Sequence, residues 1–168
     1  MLGKGSDYCF IPFDTNKYEV KLIEEDFFPH KSPSLIHAVD FLLPVHAEIR
    51  AAHKGKVTVA KSDSGKHFTS KEFFNSGLHY EDAVKMFHEV TNAVCIQHKD
   101  TFFDYLHFGK DKVYVKEGQE IKEGAIIGEL GYSGMFDYMH LHFNAYKREN
   151  GKSISIPVKF KPIKIIGA

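Results

Sequence analysis

Short runs of β-forming residues, separated by glycine and proline, follow one another along almost the whole chain. Punctuation of this kind is typical of β-dominated domains, in which turns separate short strands. One stretch departs from it, because Ala83, Val84, Phe87 and Val90 recur at helical spacing and predict a helix over Tyr80–Val90. We therefore expect an all-β dominated fold, a β-sheet or partly closed β-barrel, with one small helical insertion.

The same runs predict the positions of the strands. In chain order these are Tyr8–Phe13, Tyr18–Ile23, His37–Leu42, Glu48–Ala52, Lys56–Ala60, Ala93–His98, Thr101–His107, Lys112–Val115, Ala125–Leu130, His140–Tyr146 and Ser155–Phe160.

The length of 168 residues fits one domain, which is large enough for a real core but too small for two full-sized domains with separate sites. We expect a single domain over 1–168, with its core at about 10–160. A polar insertion at about 62–91 is expected to decorate one face and not to form a second domain. The sequence therefore predicts a single active site.

The charge balance limits the partners of this chain. Lysine plus arginine and aspartate plus glutamate both number 22, so no large basic surface for nucleic acid or anionic lipid is implied. No apolar run approaches the ~20 residues that span a bilayer, and the first residues lack the apolar core of a signal peptide. We expect no nucleic-acid partner and no transmembrane segment; the oligomeric state is not predicted.

The strongest local motif is His140-Leu141-His142-Phe143, in a chain with 11 histidines. Alternate residues of a strand point to the same face, so both imidazoles project together while Leu141 and Phe143 point the other way. Histidine is a common zinc ligand, and a convergent pair indicates a metal or acid–base site. A pair of surface histidines on a half-exposed strand is the alternative.

Asp40 lies among β-formers, where a buried carboxylate needs a charged partner or a metal. One aspartate and two histidines would leave a fourth tetrahedral position open, as in catalytic zinc sites. Two histidines near Asp40, His30 and His37, compete for the remaining ligand position. In a regular strand His37 faces away from Asp40, which makes it a core or supporting residue, whereas His30 lies in a flexible-looking segment that can return to the metal. Strand parity therefore favours His30.

Tyr105 and His107 share one face of a predicted strand and are expected to flank the site. A histidine at a strand end is also common as a satisfied or solvated residue without a catalytic role.

Taken in order, these pieces resemble the lysostaphin/LytM-type zinc metallopeptidases of cell-wall peptidoglycan, from about Phe10 to Phe160. The matching segments are Ile11-Pro12-Phe13, Tyr18 and Val20, Ala38-Val39-Asp40-Phe41, 51–57, 92–98, Tyr105-Leu106-His107, 115–124, Ile127-Gly128, Gly131, Gly134 and His140-Leu141-His142-Phe143.

The resemblance implies an antiparallel β-sheet or partly open β-barrel that hydrolyses peptide bonds in peptidoglycan stem or bridge peptides. It implies that His30, Asp40 and His142 bind Zn²⁺, and that His107 and His140 act in catalysis beside the scissile carbonyl. Tyr105 is an additional candidate for a hydrogen bond to the substrate or to the oxyanion. The substrate class implies the cell envelope or the extracellular space.

The chain departs from the family pattern at the rim of the groove. Val45-His46-Ala47-Glu48 replaces a glycine-threonine turn, and Tyr138-Met139 replaces a glycine-proline before the paired histidines. These changes leave the bridge specificity open. The main alternative function is a binding or regulatory module with the same fold and no hydrolytic activity, which the presence of all five candidate residues disfavours. A biotinyl or lipoyl carrier, suggested by the segment 115–124, lacks a clear hairpin lysine to modify.

Overall fold

The computed structural model of this protein describes residues 8–23 and 28–162. The strands are β1 Tyr8–Phe10, β2 Val39–Leu42, β3 Glu48–Arg50, β4 Gly55–Lys61, β5 His67–Phe68, β6 Ala93–His98, β7 Thr101–Leu106, β8 Phe108–Val113, β9 Glu120–Ile121, β10 Ile126–Leu130, β11 Gly134–Met135, β12 His140–Glu149, β13 Lys152–Ser155 and β14 Lys159–Lys161. The helices are α1 Ser70–Phe74 and α2 Tyr80–Val90, and a 3₁₀ turn covers Phe28–Lys31.

The strands form two larger antiparallel sheets and two small parallel pairs. The main sheet has the order β13-β12-β7-β6-β4-β9, and β2 also pairs with β12. A three-stranded sheet has the order β3-β10-β8, while β1–β14 and β5–β11 form the parallel pairs. Within the described residues, the sheets do not close into a barrel. The β-dominated fold class is confirmed, in its open-sheet form.

Strand β12 determines where the core and the site lie. Its residues from His140 to Tyr146 are buried on both faces. Leu141 and Phe143 belong to the hydrophobic core, which contains side chains from both larger sheets, and Phe143 packs edge-on against Tyr105. Because strand side chains alternate, His140 and His142 project from the opposite face.

Several predicted elements differ from the observed ones. Tyr18–Ile23 forms only one isolated bridge, between Leu22 and Phe41, instead of a strand. The predicted strand Ser155–Phe160 is divided between β13 and β14, since Pro157 has no N–H for a sheet ladder.

The helical insertion is confirmed over Tyr80–Val90 but contains a second helix, α1, that was not predicted. Thr69 accepts from the backbone of Glu72, and the Glu72 carboxylate accepts from the backbone of Thr69. This capping box is visible in the sequence. Among the described helices, none combines the length and apolarity needed to cross a membrane.

Candidate metal centre and active site

Asp40 lies at the centre of a buried cluster that the pairing of β2 with β12 creates. In this register Asp40 is directly opposite His142. The Nδ1 of His142 is 2.9 Å from Oδ1 of Asp40, and the Nε2 of His30 is 3.1 Å from Oδ2. Only 8% of Asp40 is exposed. Each carboxylate oxygen therefore faces one imidazole nitrogen.

The cluster keeps Asp40 charged. Burial raises the pKa of this carboxyl, but hydrogen bonds from His142 and His30 outweigh burial and hold the pKa well below its usual range. A buried charge with two imidazole neighbours is a suitable metal ligand.

The donor set and its dimensions fit a zinc ion. One ligand atom from each of His30, Asp40 and His142 lies within 4.8 Å of the other two. Tetrahedral zinc with bonds of roughly 2.0–2.2 Å needs ligand atoms about 3.3 Å apart, which small side-chain adjustments reach. Two nitrogens and one carboxylate also match zinc better than the oxygen-rich shells of calcium or magnesium.

His30 reaches the cluster from the 3₁₀ turn, and the segment that follows is anchored to the main sheet. The backbone carbonyl of Ser34 accepts a hydrogen bond from Asn144, and the backbone N–H of His37 donates to Ser155. The His37 side chain is exposed, so the expectation that it is core or supporting is wrong. The reason is that β2 begins only at Val39, so strand parity does not apply to His37.

His107 and His140 form a second pair beside this cluster. Their ring centroids are 4.7 Å apart, and the Nε2 of His140 lies 3.6 Å from Oδ1 of Asp40. The Nδ1 of His107 bonds the Ser133 carbonyl at 2.8 Å, and the Nδ1 of His140 bonds the Tyr138 carbonyl at 2.7 Å. Since a carbonyl only accepts, both Nδ1 atoms carry the hydrogen, and each neutral ring keeps its lone pair on Nε2.

Burial lowers the pKa of His107 well below its ordinary value, and the nearby charge of His140 lowers it further. His107 is therefore a neutral imidazole with an unprotonated Nε2, as a proton acceptor requires.

Tyr105 does not lie in the site, which corrects the expected contact with the substrate or the oxyanion. Its side chain is fully buried on the core face, and its hydroxyl accepts a hydrogen bond from the backbone of Ala52 at 2.8 Å. The expectation assumed that Tyr105 and His107 share a face. However, β7 ends at Leu106, and His107 has a left-handed backbone with φ of 78°, which breaks the alternation.

The loop 131–139 supplies groups that the sequence did not identify. The Ser133 carbonyl bonds His107. The Ser133 hydroxyl donates to the backbone carbonyl of Phe108 and accepts from the backbone N–H of Asn92. The Phe136 ring packs edge-on against His107 and His140, with centroid distances of 5.0 Å and 5.8 Å. The sequence marked this loop by Gly131, Gly134 and Tyr138-Met139, and these residues indicate a turn without specifying its contacts.

Comparison with known proteins establishes the family. Residues 34–156 match the model of Peptidase family M23. Because the match covers most of the chain, this protein belongs to peptidase family M23.

Solved structures with low sequence identity share the fold. A zinc-containing peptidase from Vibrio cholerae is 22% identical, with a TM-score of 0.54, over 88% of this chain and 39% of its own. The antimicrobial peptidase lysostaphin from Staphylococcus simulans is 21% identical, with a TM-score of 0.52, over 81% of this chain and 47% of its own. The fold is of the lysostaphin/LytM type.

A curated relative matches a shorter region. The outer membrane antigenic lipoprotein B of Haemophilus influenzae is 39% identical over 72 residues, which are 42% of this chain and 16% of that protein. This chain covers less than half the length of each of these three relatives.

Gly134 is expected to be essential for the position of His107. It has φ of +90°, and an added Cβ would lie 2.5 Å from Oγ1 of Thr91 and 3.0 Å from Nδ1 of His107. Gly118, with φ of +85° and no atom within 4 Å of such a Cβ, is the matched control. Gly118→Ala should cost about 1–2 kcal/mol of unfolding free energy through backbone strain alone, and Gly134→Ala should cost more. Equal losses in urea unfolding would show that the contacts with Thr91 and His107 do not constrain this position.

Proposed function

We propose that this protein is a zinc-dependent endopeptidase that hydrolyses peptide bonds in the stem or bridge peptides of peptidoglycan. The observation that carries the proposal is the arrangement around Asp40, with two imidazoles against its oxygens and the His107–His140 pair immediately beside it. The family and the fold support a peptidase of this type.

In this proposal His30 Nε2, the Asp40 carboxylate and His142 Nδ1 hold the zinc ion. When bound, zinc supplies a Lewis acid that polarises a carbonyl group and makes water more acidic. The protein's contribution is to keep these three donors together and to keep the Asp40 carboxylate ionised. Asp40 and His142 are buried where β2 and β12 pair, and His30 is partly exposed in the turn before β2.

His107 and His140 are assigned to proton transfer and to the developing oxyanion. The unprotonated Nε2 of His107 accepts a proton from the attacking water, because its neutral form is favoured by burial. Once it takes up a proton, His140 keeps its Nδ1 hydrogen bond to the Tyr138 carbonyl and can donate from Nε2 to the oxyanion or the leaving amine. The carbonyls of Ser133 and Tyr138 fix the two rings in the orientation that these roles need.

The substrate assignment rests on the relatives. Lysostaphin is described as an antimicrobial peptidase, and the Haemophilus relative is an outer membrane lipoprotein. The family supports peptidoglycan peptides as substrates, and the outer membrane location of the Haemophilus relative supports the cell envelope or extracellular space as the location. The formal net charge of zero agrees with a substrate that is not a polyanion.

Removal of a zinc ligand should release the metal while the fold remains. After dialysis against metal-free buffer, wild type is expected to retain one zinc per chain by elemental analysis, whereas His142→Ala and His30→Ala lose most of it. His37→Ala is the matched control, since its exposed side chain lies outside the cluster and its zinc should be retained. Stoichiometric zinc in His142→Ala, or zinc loss in His37→Ala, would contradict the ligand assignment.

The His107–His140 pair should be needed for turnover and not for metal binding. Digestion of peptidoglycan from several bacterial types by the wild-type protein first identifies a peptide that is cleaved. With that peptide as substrate, His107→Ala and His140→Ala should each lower kcat about a hundredfold or more, and both variants should retain zinc. His98→Ala is the control, because its ring contacts His53 and not the site. A rate near wild type in either zinc-loaded variant would exclude that residue from the mechanism.

A further inference from the structure

The insertion at 62–91 contacts the loop that holds both proposed catalytic histidines. Its strand β5 pairs in parallel with β11, so that Gly134 N donates to Lys66 O at 2.9 Å and Phe136 N donates to Phe68 O at 3.1 Å. These bonds join residues nearly seventy positions apart in the chain. The insertion is therefore hydrogen-bonded to the loop beside the proposed active site.

His67 adds a side-chain contact to this pairing. Its Nε2 donates to the carbonyl of Phe136 at 2.8 Å, and the two rings lie 4.1 Å apart between centroids. The same Phe136 ring packs against His107 and His140. One aromatic ring, that of Phe136, is therefore in contact with His67 and with both imidazoles.

Ser70 and Asp137 form the second connection. The Asp137 carboxylate accepts from the Ser70 backbone at 2.9 Å and from the Ser70 hydroxyl at 2.5 Å. The hydrogen bonds from the Ser70 side chain and backbone lower the pKa of Asp137, so the carboxylate is the bonded form. Asp137 directly precedes Tyr138, whose carbonyl orients His140.

We propose that the segment His67–Ser70 is a positioning device for the active site, acting through Phe136 and Asp137 on His107 and His140. In this assignment, which rests on the proposed function, His67, Ser70 and Asp137 are positioning residues that touch neither substrate nor metal. Their effect is on the geometry of proton transfer, where a displacement of about 1 Å costs up to about a hundredfold in rate.

A double-mutant cycle on Ser70 and Asp137 tests this assignment. Asp137→Ala should lower kcat about tenfold with KM changed less than about twofold, because a turnover step and not binding is affected. Ser70→Ala keeps the backbone N–H that donates to Asp137 and should lower kcat less, by about threefold. The double variant should be no slower than Asp137→Ala, since that substitution alone removes both hydrogen bonds between the two residues. Asp137→Asn, which keeps an acceptor oxygen, should fall between Asp137→Ala and wild type.

The control is Asp63→Ala, which removes an exposed carboxylate of the same insertion that is bonded to Lys61. It should leave kcat at the wild-type value, and all variants should retain zinc and wild-type thermal midpoints within a few degrees. The assignment is overturned if kcat of Asp137→Ala stays within about twofold of wild type, or if the effects of the two substitutions multiply as for independent sites.

A second readout does not depend on peptidase activity. Nitrogen-15 NMR of the zinc-loaded protein should show His107 and His140 as Nδ1–H tautomers in wild type, as their carbonyl partners require. In Asp137→Ala the His140 resonance should shift or broaden while that of His98 is unchanged. If wild type cleaves no peptidoglycan peptide, the proposed function fails, and an unchanged His140 resonance in Asp137→Ala would still overturn the positioning role separately.

Discussion

The buried carboxylate of Asp40 is the constraint on which the site depends. An isolated charge at this depth would be strongly unfavourable, so its oxygens need partners that remain in place. His142 is supplied by the opposite position of β12, and His30 by a turn about ten residues earlier in the chain. Because both imidazoles meet one carboxylate, the cluster also links the segment before β2 to the main sheet.

The register of β12 connects this cluster to the hydrophobic core. Leu141 and Phe143 pack into the core, while His140 and His142 face the site. A slip of one residue would place the imidazoles in the core and the apolar side chains in the site. The packing energy of the core therefore also fixes the position of Asp40 relative to His142, and stability and site geometry depend on the same strand pairing.

The sequence predicted the features that follow from local alternation and spacing. The common face of His140 and His142, the strand β6 and the helix α2 are of this kind. Tyr105 was misassigned because His107 adopts a left-handed conformation that no periodic pattern records. The connection between Ser70 and Asp137 was missed for a different reason, since a hydrogen bond across such a separation is set by tertiary folding and leaves no periodic trace.

Anomalous diffraction from crystals of the zinc-loaded protein, recorded on both sides of the zinc absorption edge, tests the central claim most directly. If His30, Asp40 and His142 hold the metal, one strong peak per chain is expected between Nε2 of His30, the Asp40 carboxylate and Nδ1 of His142, at roughly 2.0–2.2 Å from each ligand atom. A peak at another histidine pair, such as His53 and His98, with none at Asp40, would contradict it.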